Sequence, residues 1–227
     1  MPQIVAHRGA SHERPENTAA AFERALELGA DAVELDVHLT ADGQLVVHHD
    51  AAPHVAPNPA LAGLGIRSLT VEQLRAFRVR GEPIPTLEEV TRIVGGRATI
   101  FCELKGAGTA EAAVKLLGRL GDAAAVHSFD HRQIADARRI APAVPRGVLE
   151  ASYHISPTAS MKSVDARVLW MAAELIDADL VGAVHAGGGE ISAWTVNTAA
   201  EILRLADLGV DLLCTDDVAL CRSVLGR

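Results

Sequence analysis

Glu34-Leu35-Asp36 sets two carboxylates two residues apart in an otherwise apolar run. On an extended strand that spacing points both to one face and leaves Val33, Leu35 and Val37 on the other. Like charges facing an interior repel each other and lose hydration, and a cation or a proton between them relieves both effects. Glu103 and Lys105 repeat the spacing in Thr99-Ile100-Phe101-Cys102-Glu103-Leu104-Lys105, where an internal ion pair explains the pattern as well as a metal site does. Taken with Glu34 and Asp36, Glu103 completes an all-oxygen set, which selects a hard divalent cation such as Mg²⁺ or Ca²⁺. His7-Arg8-Gly9 and His48-His49-Asp50 each end a short apolar run. Histidine exchanges a proton near neutral pH, and arginine grips a phosphate through two donors. Alternation lets only one of His48 and His49 face such a site. One acid and one base are what displacement at phosphorus requires.

Residues so far apart must be gathered by a fold, and the chain alternates short apolar runs with helical patterns along its 227 residues. Strands are predicted at Ile4–His7, Ala32–Val37, Ala98–Lys105, Ala124–Phe129, Gly147–Leu149, Ala166–Trp170, Ile191–Val196 and Asp211–Thr215. Parallel strands with crossover helices follow from this alternation. Asn17 or Thr18 caps the first helix and Gly29 closes it. Leu45–His49 follows the tight turn Thr40-Ala41-Asp42-Gly43, too short for a crossover, so it is predicted as an antiparallel hairpin arm on the second strand. A Pro-rich loop (Pro53, Pro57, Pro59), a short helix near Val71–Phe77 and another opening at Thr86 come next. The expected class is α/β, a TIM (β/α)8 barrel over residues 1–227 as one domain, with a small hairpin insertion after the second strand. Function then belongs at the C-terminal ends of the strands.

The hydrophobic fraction of 49% suffices for a large core, and at 3% aromatic that core is aliphatic. A formal charge of −8 excludes non-specific nucleic-acid binding, though not a small anionic substrate met by a local positive centre. No run approaches the roughly 18 apolar residues of a membrane span. With no signal-like N-terminus and three cysteines (Cys102, Cys214, Cys221) in or beside apolar runs, a cytoplasmic, reduced protein is expected. The oligomeric state is open.

Several blocks together resemble the signature of glycerophosphodiester phosphodiesterases, in order and with closely matching spacing. They are His7-Arg8-Gly9, Pro15-Glu16-Asn17-Thr18, Gly29-Ala30-Asp31, Glu34-Leu35-Asp36-Val37, Thr40-Ala41-Asp42-Gly43 and Val46-Val47-His48-His49-Asp50. Ile84-Pro85-Thr86-Leu87-Glu88-Glu89, Glu103-Leu104-Lys105, Ser128-Phe129, Trp194-Thr195-Val196-Asn197 and Gly209-Val210-Asp211 before Thr215-Asp216 extend the resemblance over nearly the whole chain. The resemblance implies a TIM barrel that cleaves a small-molecule glycerophosphodiester to glycerol 3-phosphate and an alcohol. It implies one divalent cation on Glu34, Asp36 and Glu103, catalytic histidines at His7 and His49, and phosphate contacts from Arg8 and Lys105. It also implies attack by the glycerol 2-hydroxyl to a cyclic phosphate, then water. His48 is left for packing.

Trp194 is expected either to wall the alcohol head group through cation–π contact or to fill the rim. Glu150 and Asp216 are expected to support the site, and His12, His38, His127 and His185 to serve loops, packing or solvent. One departure stands out: family members carry an Arg-Thr-Thr stretch after the His-Asp pair, where this chain reads Ala51-Ala52-Pro53-His54-Val55-Ala56-Pro57. That bears on the substrate mouth. Other readings are a related phosphodiesterase, a barrel that only binds phosphate, and a Schiff-base aldolase with Lys105 as its lysine.

Overall fold

A computed structural model describes residues 1–54 and 59–227 of the chain; Pro57, and with it part of the Ala51–Pro57 departure, lies outside the described residues. Its strands are β1 (Gln3–Ala6), β2 (Ala32–Leu39), β3 (Leu45–Val47), β4 (Arg78–Val79), β5 (Glu82–Pro83), β6 (Thr99–Leu104), β7 (Ala124–His127), β8 (Gly147–Glu150), β9 (Val168–Ala172), β10 (Glu190–Trp194) and β11 (Leu212–Thr215). Eight of them run in the order β7-β6-β2-β1-β11-β10-β9-β8, every pairing parallel. The two ends of this path meet through Val126 N–H donating to Pro145 O at 3.0 Å and Leu149 N–H to Ser128 O at 3.1 Å. The result is the expected TIM barrel, with helices between the strands.

Strict alternation along the strands builds two cores. Val33, Leu35, Val37, Ile100, Cys102, Leu104, Val126 and Val148 face outward into the large core shared with the helices. Val5, Ala32, Phe101, Ala125, Leu149, Val168, Trp170, Leu212 and Cys214 fill the barrel interior. The inward row continues upward through His7, Glu34, Asp36, Glu103, Lys105, His127 and Trp194, so polarity begins where the aliphatic filling stops.

Local signals hold the elements. Thr18, not Asn17, caps the first helix, Ala19–Glu27, by accepting from Ala21 N–H at 3.3 Å. Thr86 and Glu89 form a reciprocal capping box at the helix Leu87–Val94. β3 pairs antiparallel with β2, Val37 opposite Val47 and Leu39 opposite Leu45, as the hairpin reading requires. The Pro59–Pro85 region packs back over β3 through Val46, Ile66, Leu69, Leu74, Phe77 and Ile84, a small cluster of its own. No helix among the described residues is long and apolar enough to cross a membrane.

Candidate active site

A cavity of about 100 Å³ opens at the C-terminal ends of the strands and is lined by His7, Arg8, Glu34, His49, Glu103, Lys105, His127, Phe129, Leu149, Trp170, Trp194 and Cys214. Of the catalytic, metal and substrate-binding residues expected from the sequence, all but Asp36 line it directly. Asp36 lies beside it, 1% exposed. Register decides the neighbours: Asp36 is the lateral partner of Glu103, and Glu103 of His127.

The carboxylates form one network with the two cations Lys105 and Arg8 and the amide of Asn17. Lys105 Nζ lies 2.8 Å from Glu103 Oε1 and 3.3 Å from Asp36 Oδ1. Arg8 Nε lies 3.3 Å from Asp36 Oδ2, its Nη1 donates to Glu16 at 3.0 Å, and its backbone N–H donates to Glu34 Oε2 at 3.1 Å. Asn17 Nδ2 donates to Asp36 Oδ2 at 2.8 Å. Both Arg8 and Asn17 sit at φ 56°, turned inward by the tight chain between β1 and the first helix. Gly9, at φ 82°, permits that turn, because a Cβ there would lie 2.7 Å from the Ala21 backbone carbon.

Electrostatics separates the carboxylates. Burial favours the neutral acid at Asp36, but Lys105, Arg8 and the Asn17 amide outweigh it and hold this carboxyl below the usual range. At Glu103 burial and the charges of Asp36 and Glu34 win over Lys105, and the carboxyl is pushed up to about 8. Burial works against the Lys105 ammonium, yet Asp36 and Glu103 raise its pKa. A Schiff-base lysine must be free of its proton, so the aldolase reading loses its nucleophile.

His7 and His49 each carry an aspartate on Nδ1. His7 Nδ1 lies 2.7 Å from Asp216 Oδ1, and His49 Nδ1 lies 2.9 Å from Asp50 Oδ1. Asp216 is held in turn by Ser11 Oγ at 2.8 Å and Asn197 Nδ2 at 2.6 Å. Burial opposes its charge, but these donors and His7 bring Asp216 to about 2. Burial likewise opposes protonated His7, and Asp216 and Glu34 overcome it, so the His7 pKa is raised. Only Nε2 of each ring is left for a substrate. His49 is delivered by the hairpin: His48 N–H donates to Asp36 O at 3.0 Å, and His38 Nε2 lies 3.0 Å from His49 O. His48 is 7% exposed and its Nε2 has no hydrogen-bond partner.

Other residues fall differently. Asp216 supports His7, whereas Glu150 shares the outward parity of Val148, lines no part of this cavity, and lies 3.6 Å from His154 Nε2. Ser128 binds Leu104 O at 2.8 Å outside it. His127, assigned from sequence to packing or loops, does pack, stacking on Trp170 with centroids 4.4 Å apart, but it also faces the carboxylates. Ligand atoms of Glu34, Glu103 and His127 lie within 4.8 Å of one another. Strand parity, Ala125 and His127 on one face, was legible; the lateral register that brings His127 level with Glu103 was not. His12 and His185 lie away from the cavity, beside Asp217 at 3.8 Å and Asp211 at 2.8 Å. Phe129, 46% exposed at the mouth, meets Trp194 edge to face at 5.5 Å.

Comparison with known proteins finds relatives by sequence and by fold. The model of the glycerophosphoryl diester phosphodiesterase family matches residues 7–220. A glycerophosphodiester phosphodiesterase of Caldanaerobacter subterraneus is 33% identical, over 94% of this chain and 93% of its own. One from Bacillus altitudinis is also 33% identical, over 95% of both. The structure of an Oleispira antarctica phosphodiesterase in complex with the product sn-glycerol-3-phosphate superposes with a TM-score of 0.88 at 26% identity, covering 100% of this chain and 98% of that one.

Proposed function

The chain belongs to the glycerophosphoryl diester phosphodiesterase family and is a glycerophosphodiester phosphodiesterase; we propose that it works through one divalent cation and two histidines. The observation that carries this reading is the shared cavity of His7 and His49, each fixed by an aspartate on Nδ1, with Arg8, Lys105 and the carboxylates.

The donor set fits a cation. Burial and the charges of Asp36 and Glu34 push Glu103 up to about 8 against the pull of Lys105, and a further positive centre would let all three carboxyls ionise. Glu34, Asp36 and Glu103 are the residues that would hold it, and oxygen ligands favour Mg²⁺ or Ca²⁺. When bound, it supplies Lewis-acid stabilisation of charge developing on the phosphate oxygens. Arg8 and Lys105 orient the phosphodiester from the sides. One histidine removes a proton from the glycerol 2-hydroxyl as it attacks phosphorus, and the other gives a proton from its Nε2 to the leaving alcohol; water then opens the cyclic phosphate with the proton roles reversed, and the products are glycerol 3-phosphate and an alcohol. Trp194, with Phe129, forms the apolar wall against which the head group of this small substrate rests. Three buried free cysteines fit a reducing, cytoplasmic setting.

The test is release of glycerol 3-phosphate from a panel of glycerophosphodiesters with Mg²⁺, Ca²⁺ or EDTA, with His49→Ala alongside. Loss in EDTA and a fall of roughly 10²–10⁴-fold in the variant are expected. Activity that survives both treatments sinks the proposal.

A further inference from the structure

His127 has no part in the chemistry above, yet its ring faces the place where a cation would sit. The residue is 1% exposed. Its ring lies flat on Trp170, 11° from parallel, so packing fixes the plane of both nitrogens. Trp170 can occupy the barrel centre because Gly147 has no side chain: a Cβ there would lie 2.8 Å from the indole nitrogen. The imidazole is thus held by the aliphatic and aromatic filling below it rather than by polar partners.

Nδ1 has no hydrogen-bond partner, and Nε2 stands 3.7 Å from Glu34 Oε1. That separation is too long for a hydrogen bond. It lies within the roughly 4.2 Å that two donors can span when each is about 2.1 Å from one ion. Glu103 contributes the third atom of the same group, while Asp36 is engaged by Asn17, Arg8 and Lys105. A buried imidazole that has given up hydration and gained no hydrogen bond is the kind of group a metal satisfies.

We infer that His127 supplies a nitrogen ligand, beside Glu34 and Glu103, to the cation proposed above, which makes the site a mixed nitrogen and oxygen one. This rests on the cation of the proposed function and adds to its ligands. An imidazole donor raises affinity for first-row ions such as Mn²⁺ relative to Ca²⁺.

The experiment loads the full chain with Mn²⁺ and follows binding by electron paramagnetic resonance, with electron spin-echo modulation to detect ¹⁴N coupling. Wild type is expected to bind one Mn²⁺ with imidazole modulation. His127→Gln is expected to lose the modulation and to bind Mn²⁺ roughly 10–100-fold more weakly, while its Ca²⁺ affinity falls less. His7→Gln and His49→Gln are expected to keep the modulation. Stoichiometric Mn²⁺ with no ¹⁴N modulation in wild type, a result that needs no variant to fold, overturns the nitrogen ligand and leaves the cation in place. Modulation that persists in a folded His127→Gln also overturns it. Failure of wild type to bind Mn²⁺, Mg²⁺ or Ca²⁺ overturns the cation itself and the ligand with it.

Discussion

His7 and His49 are alike in having Nδ1 held by an aspartate, and the aspartate at His7 is itself anchored from two sides and raises the pKa of that ring. Asp216→Asn removes the stabilising charge, so the His7 pKa falls. Whichever limb of the kcat/KM pH profile belongs to His7 is then expected to move to lower pH. If it is the limb where activity rises with pH, His7 is the base; if it is the limb where activity falls, His7 is the acid. A variant with both limbs in place shows that Asp216 does not act on His7 through charge. Trp194 makes a second case at this scale. A cation–π contact at a partly buried ring open to solvent is worth about 0.5–1 kcal/mol, so Trp194→Ala should raise KM a few-fold more for glycerophosphocholine than for glycerophosphoglycerol. Equal losses remove the head-group role.

At the scale of elements, the turn from β1 into the first helix does more than connect. It bends Arg8 and Asn17 inward at positive φ so that both reach Asp36. The sequence offered Asn17 as a cap candidate; the cap is Thr18, and Asn17 is freed to hold a carboxylate. Gly9 and Gly43 both have positive φ, but only Gly9 meets a close backbone, while nothing lies within 4 Å of a Cβ at Gly43. Gly9→Ala is therefore expected to destabilise the protein by about 1–3 kcal/mol more than Gly43→Ala, the usual cost of overpacking, measured by urea unfolding. Similar costs for the two would mean the turn relaxes freely. The hairpin β2–β3 is legible from Thr40-Ala41-Asp42-Gly43 because its register is set within a few residues.

For the whole molecule, the barrel concentrates three carboxylates where, among the described residues, Lys105 and Arg8 are the cationic side chains paired with them. A carboxyl whose pKa rises from 4.5 when unfolded to about 8 when folded contributes its stability fully below 4.5 and loses it as pH climbs toward 8. A bound divalent cation removes that penalty by favouring the ionised form. The gap in Tm between cation-loaded and EDTA-treated protein is thus expected to widen from about pH 5 to about pH 8. A gap independent of pH would mean that Glu103 stays ionised without the cation. By itself the sequence determined what period-two alternation and short turns control: eight strands, Glu34 paired with Asp36, Glu103 with Lys105, and His49 at a hairpin end. Only the tertiary structure decided that Asp36 takes the cationic side chains, that Asp216 closes on His7 across 209 positions, and that His127 stands level with Glu103. Those pairings depend on lateral register between strands far apart in the chain. Register is fixed by the closed hydrogen-bonded ring and its packed interior, which no local spacing encodes.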